Sequence, residues 1–181
     1  MEKNLPQVTE LHLPGVLLIT PQLYADERGF FSELYNEDVF ASIGITTQFV
    51  QDSTSYSVKN VIRGMHYQLI PHEQAKLVRC AHGKIFDVAA DVDPASPTYG
   101  KYVGVELSGE TGQMLYIPGT YAHGFAVLSE DAHVAYKLSA LHNPSQSRGV
   151  RYNDPIINIM WPVTDPILSE KDRLWEDLPH I

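Results

Sequence analysis

Two neighbouring stretches of the chain gather side chains that can move protons and hold charge. They are Asn60-Val61-Ile62-Arg63-Gly64-Met65-His66-Tyr67-Gln68 and Gln74-Ala75-Lys76-Leu77-Val78-Arg79. Both read as β-strands, in which every second side chain shares a face. That alternation groups Ile62, Gly64, His66 and Gln68 on one face and Arg63, Met65 and Tyr67 on the other. Polar side chains on an inner strand face are costly unless paired or used. In an all-β domain the use would be a lined cavity. A histidine, a lysine and an arginine around such a cavity suit proton abstraction beside a carbonyl on an anionic ligand.

Other groups extend this set. His123 lies in Ile117-Pro118-Gly119-Thr120-Tyr121-Ala122-His123-Gly124-Phe125, where Gly and Pro shape a turn at a strand mouth. Tyr136 sits on an apolar strand, either as a cavity-facing acid or as a packing aromatic. Arg28, in Asp26-Glu27-Arg28-Gly29-Phe30-Phe31, either grips a phosphate or belongs to a solvated hairpin turn. The polar run Val50 to Ser57 reads as a solvated loop or as a cluster of hydrogen-bond donors over a sugar or diphosphate.

The elements that must position these residues are short strands. Runs rich in Val, Ile, Leu, Tyr and Phe cover Val16 to Ile19, Lys84 to Val92, Tyr102 to Leu107, Met114 to Ile117, Gly124 to Leu128 and Ala132 to Leu138. Turn formers such as His82-Gly83, Asp93-Pro94, Ser108-Gly109 and Pro118-Gly119 separate them. This spacing predicts an antiparallel sandwich or barrel. One short helix is predicted from Asn36 to Ile43, started by Asn36 or Glu37 and stopped by Gly44, and another within Pro166 to Leu174 with Ser169 as N-cap.

The 181 residues, without repeat or linker, predict one domain over residues 1–181. The apolar content of 44% and charged content of 19% are those of a globular protein. A net charge of −9 argues against a general nucleic-acid binder but leaves room for a small anion in a locally basic pocket. A lone cysteine, Cys80, cannot form an internal disulfide and fits a reducing compartment. With no apolar leader or membrane-length run, the expected location is cytoplasmic.

The spacing of Gly112, Pro118 and His123 resembles half of a cupin metal motif, but His66 has no His-x-His partner. A metal site is therefore not expected. The surviving scaffold signal is a jelly roll.

In chain order, Asp26-x-Arg28-Gly29-x-Phe31, Gln51-Asp52, Arg63 to Gln68, Lys76-Leu77-Val78, Ser96 to Gly100, Pro118-x-x-x-Ala122-His123-Gly124-Phe125, Tyr136-Lys137, Asn153-Asp154-Pro155 and Leu168 to Asp172 resemble the dTDP-4-dehydrorhamnose 3,5-epimerase family. The resemblance runs over nearly the whole chain. It implies an all-β, cupin-like antiparallel jelly roll and a homodimer with exchanged N-terminal strands. It also implies no metal, no organic cofactor and a nucleotide-diphospho-4-keto-6-deoxyhexose as substrate. By the same resemblance His66 is the base, Tyr136 the acid on the opposite face and Lys76 the stabiliser of the enolate. Asp172 orients the histidine. Arg28, Arg63 and His123 match positions at or near the diphosphate, and Gln51 one that holds the substrate. Phe31 and Glu33 match the nucleotide end, with Arg28 and Phe31 reaching the partner's site. Ser53 and His142 stand in the binding wall where the family usually carries Asn and Tyr, and Ser147 stands where it usually carries Glu. The alternatives are a mono-epimerase of a related nucleotide sugar, a non-catalytic sugar-nucleotide-binding cupin, and a metal-dependent cupin oxygenase.

Overall fold

The computed structural model describes residues 5–180. The strands, in chain order, are β1 (Gln7–Glu10), β2 (Leu17–Thr20), β3 (Tyr24–Asp26), β4 (Gly29–Phe31), β5 (Gln51–Val58), β6 (Ile62–Gln68) and β7 (Lys76–His82). They continue with β8 (Lys84–Asp91), β9 (Tyr102–Ser108), β10 (Met114–Ile117), β11 (Tyr121–Val127), β12 (Asp131–Leu138) and β13 (Ser147–Gly149). A six-stranded sheet runs β1-β2-β10-β7-β12-β5, and a five-stranded sheet runs β13-β6-β11-β8-β9. All their ladders are antiparallel. Strands β3 and β4 form a separate exposed hairpin.

The alternation read from sequence is what joins the sheets. Val78 and Cys80 of β7, Leu115 and Ile117 of β10 and Val134 of β12 point inward from one sheet. They meet Ile85 and Ala89 of β8 and Phe125 and Val127 of β11 from the other. Each large side chain so buried stabilises the fold by about 1.5–3 kcal/mol relative to exposure. The inward row continues on each sheet beyond this apolar plug, and there it turns polar. Lys76 precedes Val78, Tyr136 follows Val134, and His123 precedes Phe125. The plug thus seals one end of the sandwich and leaves a cavity at the other.

Two short helices flank the sheets, one on an outer surface and one at the cavity rim. Helix α1 (Glu37–Ser42) is capped by the Asn36 side chain, which accepts from the backbone N–H of Asp38 and Val39. Its Phe40 packs with Ile19, Leu77 and Met114 on the outside of the six-stranded sheet. Helix α2 (Glu170–Arg173) is a single turn begun by Ser169, whose Oγ accepts from the Asp172 N–H at 3.0 Å. Ser169 is the N-cap expected from sequence, and Asn36 is one of the two starts, Asn36 or Glu37, read for the first helix.

Two local expectations are corrected. The polar run after Val50 is not a loop: Gln51–Val58 is an eight-residue edge strand paired with β12. Its Ser, Thr and Tyr residues satisfy a strand exposed on one side, where apolar residues are not required. Arg63 and His66 were also expected on opposite faces. The β6–β11 ladder slips between its His66↔His123 and Arg63↔Phe125 pairs, where two residues on one strand, Gly64 and Met65, oppose the single Gly124 on the other. The extra residue resets the alternation, and both side chains reach the cavity. The slip falls at Gly64, which has φ +135°, and a Cβ there would lie 2.5 Å from Gly124 Cα. Glycine on both strands permits that approach.

Candidate active site

The cavity between the sheets measures about 610 Å³. From the five-stranded side come Arg63, His66 and Gln68 of β6 and His123 and Phe125 of β11. From the six-stranded side come Ser53 and Ser55 of β5, Lys76 of β7 and Tyr136 and Leu138 of β12. The loop residue His142 and the C-terminal Lys171 and Asp172 complete the rim.

His66 is held from behind. Its Nε2–H donates to Asp172 Oδ1 at 2.6 Å. A carboxylate can only accept, so Nε2 carries the proton and the neutral ring keeps Nδ1 free as the base. Asp172 is 3% exposed. Its burial acts to raise its pKa, but the hydrogen bond and charge of His66 outweigh that and hold it below the usual carboxylate value. The C-terminal segment that delivers Asp172 is itself anchored. Trp175 lies flat on Gly149, where any Cβ would collide with the indole, and Gly149 is the β13 partner of His66. The Trp175 ring meets the imidazole edge-on at 6.3 Å.

The six-stranded side carries groups of the opposite temper. Lys76 is buried, and its Nζ donates to one acceptor, the Gln74 carbonyl at 3.2 Å. Burial lowers its pKa to about 8, against the pull of Asp87. It therefore remains chiefly an ammonium at neutral pH, with N–H groups to spare. Tyr136 shares a hydrogen bond of 2.8 Å with the Ser55 hydroxyl. Burial pushes the phenol's pKa far up, more than the Ser55 bond lowers it. It is a protonated acid at any physiological pH.

Arg63 crosses from one sheet to the other: its Nε donates to Ser57 Oγ at 2.9 Å and an Nη to the Tyr56 carbonyl at 3.0 Å. Gln68 fixes the rim loop, donating to the His72 carbonyl at 2.6 Å and accepting the Asn143 N–H at 2.7 Å. That places His142 at the mouth.

Of the residues singled out from sequence, Ser53, Arg63, His66, Lys76, His123, Tyr136, His142 and Asp172 line this cavity. Arg28, Phe31, Glu33 and Gln51 do not. Arg28 pairs with Asp26 in the exposed hairpin. Phe31 and Glu33 border a separate depression with Tyr24, Leu34 and Phe40. Gln51 stands one step back and donates to Ser53 Oγ at 3.0 Å. Ser55, Gln74, Lys171 and Asp87 were missed. An aspartate between Phe86 and Val88 was a readable signal for the last; Ser55 had none beyond its place in a polar run. Among the described residues no group of three or more His, Cys, Asp or Glu is arranged to hold a metal ion.

The sequence and fold of this chain have counterparts among known proteins. The family model of dTDP-4-dehydrorhamnose 3,5-epimerase matches residues 10–180. The chain belongs to that family. The dTDP-4-dehydrorhamnose 3,5-epimerase of Shigella flexneri is 49% identical over 166 residues, covering 91% of this chain and 92% of its own. Among solved structures, the Bacillus anthracis dTDP-4-dehydrorhamnose 3,5-epimerase with TDP and PPi bound superposes with a TM-score of 0.93 at 40% identity. It covers 96% of this chain and 99% of that one. The Legionella pneumophila dTDP-6-deoxy-D-glucose-3,5-epimerase, in complex with dTDP-4-keto-L-rhamnose, gives 0.91 at 41% identity, covering 96% and 93%. The fold is the cupin-like antiparallel jelly roll of this family.

Proposed function

We propose that the protein epimerises C3 and C5 of dTDP-4-dehydro-6-deoxyglucose to give dTDP-4-dehydrorhamnose, with His66 as base and Tyr136 as acid. The observation that carries this reading is their placement. The carboxylate-backed imidazole stands on one sheet, and a phenol held protonated and a buried ammonium stand on the other. The C4 ketone acidifies the hydrogens at C3 and C5. His66 Nδ1 removes one from the face it lines, and the electron pair moves onto the C4 oxygen. Lys76 offers its unshared N–H groups to that oxygen in a site of low dielectric, where such a charge counts most. Tyr136 then returns a proton to the carbon from the opposite face, which inverts it. Each inversion leaves the imidazole protonated and the phenol deprotonated, and exchange with water through the open mouth restores both. Arg63 and His123 suit the diphosphate side of the cavity.

Arg28 and Phe31 fit the same reading only if the protein is a homodimer exchanging N-terminal strands. Support comes from the hairpin, where Tyr24, Phe30 and Phe31 are 48%, 55% and 69% exposed, an apolar surface of the kind that marks an interface. A cytoplasmic, single-domain enzyme completes this reading. No helix among the described residues is long and apolar enough to cross a membrane.

A second reading, inversion at one carbon of a related nucleotide sugar, is favoured by one observation: Ser53, His142 and Ser147, the departures from the family pattern, all line the cavity. Proton NMR of dTDP-4-keto-6-deoxyglucose incubated with the protein in D₂O separates the two. Deuterium at both C3 and C5, lost in His66→Ala, is the expected result. Label at one carbon only selects the second reading, and no label with folded protein overturns both.

A further inference from the structure

The segment that carries Asp172 is tied down at both ends. At the start of β6 the Ile167 N–H donates to the Asn60 carbonyl at 2.9 Å, and the Ile167 carbonyl accepts the Ile62 N–H at 3.0 Å. Beyond α2 the Glu176 carbonyl accepts the Arg151 N–H at 3.0 Å, and Asp154 Oδ2 accepts the Leu178 N–H at 2.6 Å. Between these anchors Leu168, Ser169, Lys171 and Asp172 form one wall of the cavity. A one-turn helix has little stability of its own, so what fixes that wall must come from outside it.

Trp175 makes such a contact. Gly149 of β13 is the register partner of His66 of β6, and directly opposed residues of two strands put their side chains on the same face. Glycine leaves that place beside the imidazole empty, and the Trp175 indole takes it. A Cβ on Gly149 would overlap the indole Cε2, Nε1 and Cδ2. The ring lies 6.3 Å from the His66 ring between centroids, at 65° to it. The Lys171 Nζ sits over the same indole, 5.2 Å from its centroid. The indole N–H is buried without a hydrogen-bond partner. What this side chain contributes is therefore the position of a ring, not a hydrogen bond. Trp175 follows Asp172 by three residues, about one turn of chain, so a displaced indole carries the carboxylate with it.

We propose that Trp175 is a positioning residue for the epimerisation: seated on Gly149, its indole sets the angle at which Asp172 meets the His66 imidazole, and so the direction in which the basic nitrogen faces the sugar. The purpose of this arrangement rests on the epimerase reading. Its geometry is tested without substrate.

In protein carrying ¹⁵N-labelled histidine, the ring nitrogens of neutral His66 report which of them holds the proton. The signals are assigned by their absence in His66→Gln. The parent should show the Nε2–H form alone, and Trp175→Ala a mixture of the two tautomers. In turnover, kcat of Trp175→Ala should fall about 10–10²-fold with KM within about threefold. Trp175→Phe keeps a ring and drops only the unpartnered N–H, so both readouts should stay near the parent's. Gly149→Ala reaches the same contact from the other strand. It should imitate Trp175→Ala in the parent, yet add less than about twofold in the Trp175→Ala background, where its methyl has room. Losses that multiply in the double variant overturn the proposal. So does folded Trp175→Ala with the parent's tautomer and kcat. Should Trp175→Ala fail to fold, a parental tautomer in Gly149→Ala or a mixture in Trp175→Phe overturns it. A mixture already present in the parent does the same and needs no variant. The single tautomer lost in Trp175→Ala and kept in Trp175→Phe upholds the placement even if the protein shows no epimerase turnover.

Discussion

The two sheets that enclose the cavity equip it in opposite ways. On the five-stranded sheet each histidine has a buried carboxylate behind it, Asp172 for His66 and Asp87 for His123. On the six-stranded sheet Lys76 and Tyr136 have only neutral hydrogen-bond partners, a peptide carbonyl and a serine hydroxyl. The difference matches what the proposed reaction asks of each side. A base gains a positive charge in the reaction, and a fixed carboxylate stabilises it as it forms. An electrophile must not be satisfied in advance. A lysine already paired at its Nζ would have nothing left for an enolate oxygen, and a phenol bonded to an anion would be a poorer acid. In the proposed reaction, carboxylate pairing on one side and under-pairing on the other would pull electrons across the sugar.

Substitutions on the under-paired side break this contrast most directly. Lys76→Met removes the buried ammonium proposed to stabilise the enolate and should lower kcat by about 10²–10³-fold. In the unaltered protein kcat should fall as pH rises through about 8, where Lys76 loses its proton; a profile flat to pH 10 would deny it the role. Tyr136→Phe should cut product formation by about 10²-fold. His66 still abstracts in that variant, so deuterium should continue to enter the recovered substrate. Exchange and inversion lost together would instead place both proton transfers on one sheet. The smallest effect is expected from Ser55→Ala, which deletes one neutral hydrogen bond to Tyr136. About 1 kcal/mol, or roughly fivefold in kcat, is the scale; a loss as large as that of Tyr136→Phe would make the serine part of the proton path.

The fold was readable where packing speaks through periodicity. The run Met114 to Ile117 is β10 as read, and Lys84 to Val92 and Ala132 to Leu138 each differ from β8 and β12 by one residue at one end. Strand β5 was not readable, because an edge strand with one wet face needs no apolar pattern. The face carried by Arg63 was misread for a different reason. Alternation is counted within a strand, whereas the slip at Gly64 arises between strands, from the close approach of Gly64 to Gly124.

What the sequence alone determined is most of the elements, the antiparallel class and, through its likeness to a family, eight of the residues that line the cavity. These rest on short-range rules: side-chain period, turn residues and caps, each complete within a few positions. The tertiary structure decided which groups are paired and which are left free. His66 and Asp172 are 106 residues apart in the chain and 2.6 Å apart in space. Asp87 and His123 lie on adjacent strands in a register that no local signal sets. Burial decides the rest: a lysine and a phenol acquire their chemical character from the water that two packed sheets exclude, and that exclusion exists only once both sheets have formed.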